Sequence, residues 1–137
     1  MNLPKPSAQY PELAIWTMDA THAKAFQLID NINQSNNKDL LLMVEVFVDH
    51  TKEHFEQERL VMLETDFPAY REHETEHARL LGDIIQFQSA LKRGRVNFAR
   101  QFFKNALPEI LENHIRQVDS ALAAHIKKVN GSKPIAL

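Results

Sequence analysis

Residues 39–64 read DLLLMVEVFVDHTKEHFEQERLVMLE, and the way their apolar and polar groups share one helical stripe decides the fold. Asp39 is a good N-cap residue, and Leu40, Met43 and Phe47 follow at the three- and four-residue steps that line one face of a helix. The same face continues through His50, His54 and Glu58. A histidine–glutamate pair four residues apart therefore prolongs an apolar stripe, which points it into a core rather than at solvent. Thr65-Asp66-Phe67-Pro68 ends the helix near Glu64, because proline disfavours helical backbone in the residue before it.

Working outward, the segment from Asp19 to about Asn33 carries Phe26, Ile29 and Ile32 at helical spacing and closes on the polar run Asn33-Gln34-Ser35-Asn36-Asn37. On the other side a third helix is predicted from about Ala69 to Leu91, with Tyr70, Leu80, Leu81, Ile84 and Phe87 inward. Lys92-Arg93-Gly94-Arg95 makes the next turn, and a fourth helix spans roughly Val96 to Val129. Pro108 lies inside it, where a missing N–H and a ring clash predict a kink or a restart. Four helices joined by three short connections suit an all-α, up-down-up-down four-helix bundle. One domain is expected, with residues 1–15 as an extended N-terminal arm (Pro4, Pro6 and Pro11), 16–129 as the bundle and 130–137 as a tail.

A chain of 137 residues is long enough to bury a real core and too short for two. Its 16 Lys+Arg against 18 Asp+Glu leave a formal charge of -2, so neither a nucleic acid nor an anionic membrane is an expected partner. There are no cysteines, which excludes disulfides, thiolate metal sites and cysteine nucleophiles, so any metal must be held by nitrogen and oxygen. Neither a basic, apolar leader nor a membrane-length apolar run is visible, and the expected location is the cytoplasm.

The seven histidines are distributed with a pattern. His73 and His77 are four apart in the third helix, in line with Tyr70, Leu80 and Ile84. His114 shares a face with Leu107, Ile110 or Leu111, Val118 and Leu122, with Asp119 five residues on. His22 lies on the stripe of Ile15, Phe26 and Ile29. A single histidine on an apolar face is usually a hydrogen-bonded core residue, and His50 and His125 are read that way; a His-x-x-x-His spacing alone is equally weak, as His50 and His54 illustrate. The joint set is different: each helix sends at least one imidazole or carboxylate inward. Burying all of them without partners costs several kcal/mol. A pair of cations in the bundle core offsets that cost, since it neutralises the carboxylates and accepts the ring nitrogens.

Met18-Asp19-Ala20-Thr21-His22, His54-Phe55 with Glu58 and Met62, His73, His77, and His114-Ile115 with Asp119 resemble the hemerythrin family of HHE cation-binding domains, in particular the bacterial hemerythrins, from Trp16 to about His125. The resemblance implies two iron ions (Fe2+/Fe3+) joined by an oxo or hydroxo bridge. His73, His77 and His114 would bind one, His22 and His54 the other, with Glu58 and Asp119 bridging. The first iron would then be saturated and the second would keep an open position, where dioxygen binds reversibly. Leu111, Ile110, Ile115 and Phe55 are the expected walls of the oxygen pocket. Many bacterial relatives have Trp-Leu where Ile110-Leu111 stands, often a second glutamate where Arg59 stands, and an aromatic at His50, which here could support His54 from one turn away.

The expected function is dioxygen binding for transport, storage or delivery rather than catalysis, with a reductase or an oxygen-consuming protein as partner. An oxygen or redox sensor acting through a partner is the nearest alternative, and a di-iron enzyme acting on peroxide or nitric oxide is another. Ferritin-like enzymes need Glu-x-x-His from two helices, and the chain has one such run, Glu74-Thr75-Glu76-His77.

Overall fold

The computed structural model describes residues 16–130, and the expected arm and most of the tail lie outside them. Four long helices form the described chain: α1 (Trp16–Gln34), α2 (Asn37–Glu64), α3 (Tyr70–Lys92) and α4 (residues 96–130). The helix α1 starts three residues before Asp19, and α4 stays helical to Asn130. They run up-down-up-down: α1 packs on α2, α2 on α3, α3 on the first turns of α4, and α4 closes the ring against α1. None is long and apolar enough to cross a membrane.

The turns explain the boundaries. Asn36 is extended at φ -75°, ψ 170° and its side-chain carbonyl accepts the Asp39 N–H at 2.9 Å, so Asn36, not Asp39, is the N-cap of α2. Asp39 falls in the first turn instead, where its charge faces the positive end of the helix. Arg100 of α4 reaches back to lock this corner, donating to the Ser35 carbonyl at 2.8 Å and twice to Asn37 Oδ1 at 2.8 and 3.1 Å. At the end of α2 Asp66 takes a left-handed conformation (φ 52°), the Phe67 N–H bonds to Met62 O at 2.9 Å and the Asp66 N–H to Leu63 O at 3.4 Å. That double closure is a Schellman motif, and Phe67 and Met62 complete it by burying in one cluster. Gly94 supplies the positive φ (83°) that turns α3 into α4.

The expected break at Pro108 takes another form. The helix widens to a π turn over Phe102–Ala106, in which the Leu107 N–H bonds to Phe102 O five residues back. This absorbs the donor that proline lacks without restarting the helix. The Phe103 carbonyl, skipped by the ladder, is met by Asn33 Nδ2 of α1 at 3.1 Å.

Two apolar clusters fill the bundle. One is built around Phe47, Ile84, Phe103 and Leu107, and the other around Met18, Met62, Phe67 and Leu122. On every helix buried polar side chains stand between the two clusters, with Ala20, Ala23 and Ile115 among them, which sets a buried polar layer across the middle of the core.

Candidate metal centre

That layer holds His22 from α1, His54 and Glu58 from α2, His73 and His77 from α3, and His114 and Asp119 from α4, all buried, with Glu58 wholly so. The four-residue steps of α2 and α3 put their pairs on one face. The step in α4 is five. At 3.6 residues per turn this would leave Asp119 roughly 140° around from His114. A second π turn, Ile115–Asp119, removes the discrepancy: the Ser120 N–H bonds to Ile115 O, the helix underwinds, and Asp119 comes in beside His114.

The seven groups form two clusters, His73/His77/His114/Asp119 and His22/His54/Glu58/Asp119, whose ligand atoms lie within 4.8 Å of one another. Each carboxylate divides its oxygens between the two sides. Glu58 Oε1 is 2.8 Å from His73 Nε2 and 3.3 Å from His77 Nε2, while Oε2 is 2.6 Å from His54 Nε2. Asp119 Oδ1 is 3.2 Å from His114 Nε2 and 3.3 Å from His73 Nε2, while Oδ2 is 2.9 Å from His22 Nε2.

Closeness is not hydrogen bonding here. His73 and Glu58 are angled for a hydrogen bond, but Nε2 of His22, His77 and His114, Glu58 Oε2 and both Asp119 oxygens have no such partner although all are buried. Such orphaned donors and acceptors cost about 1–3 kcal/mol each. Lone pairs that converge without pairing are what a set of metal ligands presents, and five imidazoles with two carboxylates suit first-row divalent ions.

The electrostatics agree. Burial and Asp119 push the Glu58 carboxyl up, but His54 and His73 outweigh them and hold it well below the usual carboxylate range. Burial likewise opposes ionisation of Asp119, and its contacts with His114, His22 and His73 win. His73 is disfavoured as a cation by burial, yet Asp119 and Glu58 raise it to about 9. His54 is raised against burial by Glu58, whereas burial keeps His77 below its ordinary value. In the metal-free chain a proton on His73 thus does part of what a cation would do between two carboxylates.

A small cavity of about 30 Å³ adjoins the polar layer, reaching both His22 and His54 and, from the other side, His114 and the shared Asp119; its apolar walls are Phe26, Phe47, Phe55, Leu111 and Ile115, and His50 also lines it. That is enough for a diatomic molecule, since one water needs about 10–15 Å³. Of the four expected pocket walls, Leu111, Ile115 and Phe55 line this cavity and Ile110 does not. One residue is about 100° of helix rotation, and Ile110 lines the outer cleft between α3 and α4 with Leu80, Asp83 and Val118 instead. Phe26 and Phe47 were missed as cavity walls, although each lies on the stripe of a histidine, four residues after His22 and seven before His54. His50 does not bond to His54: its Nε2 donates to the Thr21 carbonyl at 3.3 Å, next to His22, and burial and His54 push it down to about 4. His125 Nε2 donates to the Thr65 carbonyl at 2.8 Å.

The chain matches the family model described as the hemerythrin HHE cation binding domain over residues 13–126. It belongs to the hemerythrin family. A curated relative, named bacteriohemerythrin, from Ralstonia nicotianae (strain ATCC BAA-1114 / GMI1000), is 27% identical over 101 residues, covering 74% of this chain and 73% of the relative. No solved structure matches the chain. Both ligand clusters of this hemerythrin domain fall inside the matched span.

Proposed function

We propose that this hemerythrin domain holds two irons and binds dioxygen reversibly, as a carrier, store or donor of dioxygen rather than as an enzyme. The observation that carries the reading is the division of labour in the polar layer: Glu58 and Asp119 each offer one oxygen to either side, while the imidazoles split three to two. His73, His77 and His114 would hold one ion, His22 and His54 the other, and the two carboxylates both. A pair of irons so held supplies the electrons and the Lewis acidity that dioxygen binding needs.

The residues around the layer support the rest of the reading. The three-imidazole side is richer in ligands, so a small ligand would be directed to the two-imidazole side, where His22 and His54 both line the cavity, whereas of the other three imidazoles His114 alone reaches it. Phe26, Phe47, Leu111 and Ile115 keep that cavity apolar, which favours an uncharged diatomic and excludes the water that would compete with it. Five neutral imidazoles against two carboxylates leave the centre with little negative charge, which disfavours high-valent iron and thereby favours reversible binding over oxygenation. The name of the Ralstonia relative supports the same reading.

The test is to reduce the iron-loaded protein anaerobically and record the visible spectrum while dioxygen is added and then removed. A charge-transfer band that appears and fades with oxygen over several cycles is expected. Irreversible oxidation in the first cycle, or sustained consumption of peroxide or nitric oxide, would replace the carrier reading with a sensor or an enzyme.

A further inference from the structure

We infer that Glu74 is the positioning residue for His77, accepting a hydrogen bond from its Nδ1–H and so fixing the ring with Nε2 turned to the metal. The inference rests on the reading that the histidine layer holds metal.

Beside the His73 and His114 rings, 4.4 and 5.3 Å away between centroids, three contacts bear on the orientation of the His77 ring. Its face lies flat on Phe55, with centroids 3.7 Å apart and planes 3° from parallel. Nε2 is 3.3 Å from Glu58 Oε1. Nδ1 is 3.8 Å from Glu74 Oε1, one turn earlier on α3. Nδ1 and Glu74 Oε1 are both buried and neither has a hydrogen-bond partner.

The flat stack explains why a further contact is needed. Turning the ring by half a rotation about Cβ–Cγ keeps it in the same plane, so Phe55 cannot tell the two orientations apart. One orientation presents Nε2 to the centre and the other presents a carbon. A neutral imidazole also carries a single N–H, and if it sits on Nε2 the lone pair faces the wrong way. A carboxylate at Nδ1 settles both choices: it binds N–H and not C–H, and it holds the proton on Nδ1. Closing 3.8 Å to hydrogen-bond length needs a movement of about 1 Å. Glu74 has the freedom to make it, since its side chain is 31% exposed.

The residue escaped the sequence reading because Glu74-Thr75-Glu76-His77 was compared with a ligand motif in which the glutamate binds metal directly. Here the glutamate belongs one layer further out, where its partner is the ligand.

The experiment compares wild type, Glu74→Ala, Glu74→Gln and the charge control Glu109→Ala, which alters an exposed position on α4. Each protein is loaded with iron, assayed for metal per chain, and followed as a chelator strips it; melting of the metal-free forms is recorded in parallel. Glu74→Ala is expected to take up metal yet bind it roughly 10- to 100-fold more weakly, with the metal-free melting temperature unchanged. Glu74→Gln, which keeps an acceptor, should recover part of the loss, and Glu109→Ala should match wild type. Wild-type affinity in Glu74→Ala overturns the inference, as does an equal loss in Glu109→Ala, which would mean bulk charge. Failure of wild type itself to take up metal would instead sink the metal reading beneath it.

Discussion

Glu58 has no exposed surface and stands within 3.3 Å of three imidazoles, so its loss is felt on both sides of the layer. Glu58→Ala strips His54, His73 and His77 of their common anion and removes a donor from both sides. Breaking a buried ionic contact of this kind costs about 3–5 kcal/mol. Urea melts of the metal-free variant should show that loss, and elemental analysis should show a deficit of metal. His73 gives the pH dependence. Its folded value of about 9 exceeds the ordinary 6.5, so its contribution is complete below 6.5 and is lost as the pH rises through 9. The urea midpoint of the metal-free chain should fall over that window; a flat profile would show that His73 has no such partner. Leu111→Phe addresses the cavity. Overpacking by about 1–3 kcal/mol should weaken dioxygen binding to the reduced, iron-loaded protein by roughly 5- to 150-fold, while metal content stays at the wild-type level. At this scale much was legible: His54 and Glu58 extend an apolar stripe, and that alone points them inward. Ile110 and Leu111 were not separable, because adjacent residues flank the same stripe and local underwinding decides which one faces the centre.

At the scale of the element, α4 departs furthest from an ideal helix. Its two π turns do different work: Phe102–Ala106 accommodates Pro108, and Ile115–Asp119 rotates a ligand into place. Neither has a sequence signature of its own. A five-residue step between His114 and Asp119 is ambiguous until the helix is seen to widen, and a proline inside a helix predicts disruption without saying which kind. Asn33 is the side chain that pins the first widened turn, through its bond to the Phe103 carbonyl. Asn33→Leu leaves that carbonyl unpaired and should cost about 1–3 kcal/mol, read from urea melts, with faster amide exchange around Phe102–Ala106. No change in either would mean that water serves equally well. The α2 boundary was missed for a simpler reason: Asn36 and Asp39 are both good caps three residues apart, and what selects Asn36 is the corner fixed by Arg100 from the start of α4.

For the whole molecule, the architecture is two apolar clusters separated by a buried polar layer to which every helix contributes. Periodicity and spacing made the bundle and its inward-facing histidines readable, since both follow from 3.6 residues per turn. The pairing of oxygens across the layer was not readable, since it depends on three-dimensional convergence of helices distant in sequence. The layer couples metal to stability. An ion present at a thousand times its dissociation constant from the folded state adds about 4 kcal/mol, or roughly 10–25 °C in melting temperature. A chelator should lower the melting temperature of the loaded protein by that much and leave the metal-free protein unaffected.

The central claim is a two-metal centre built on shared carboxylates, and iron per chain in the purified, iron-loaded protein tests it most directly. The account predicts two irons per chain, falling together when Asp119 is replaced by alanine because both ions share that residue. A wild-type value of one, or none, would contradict it.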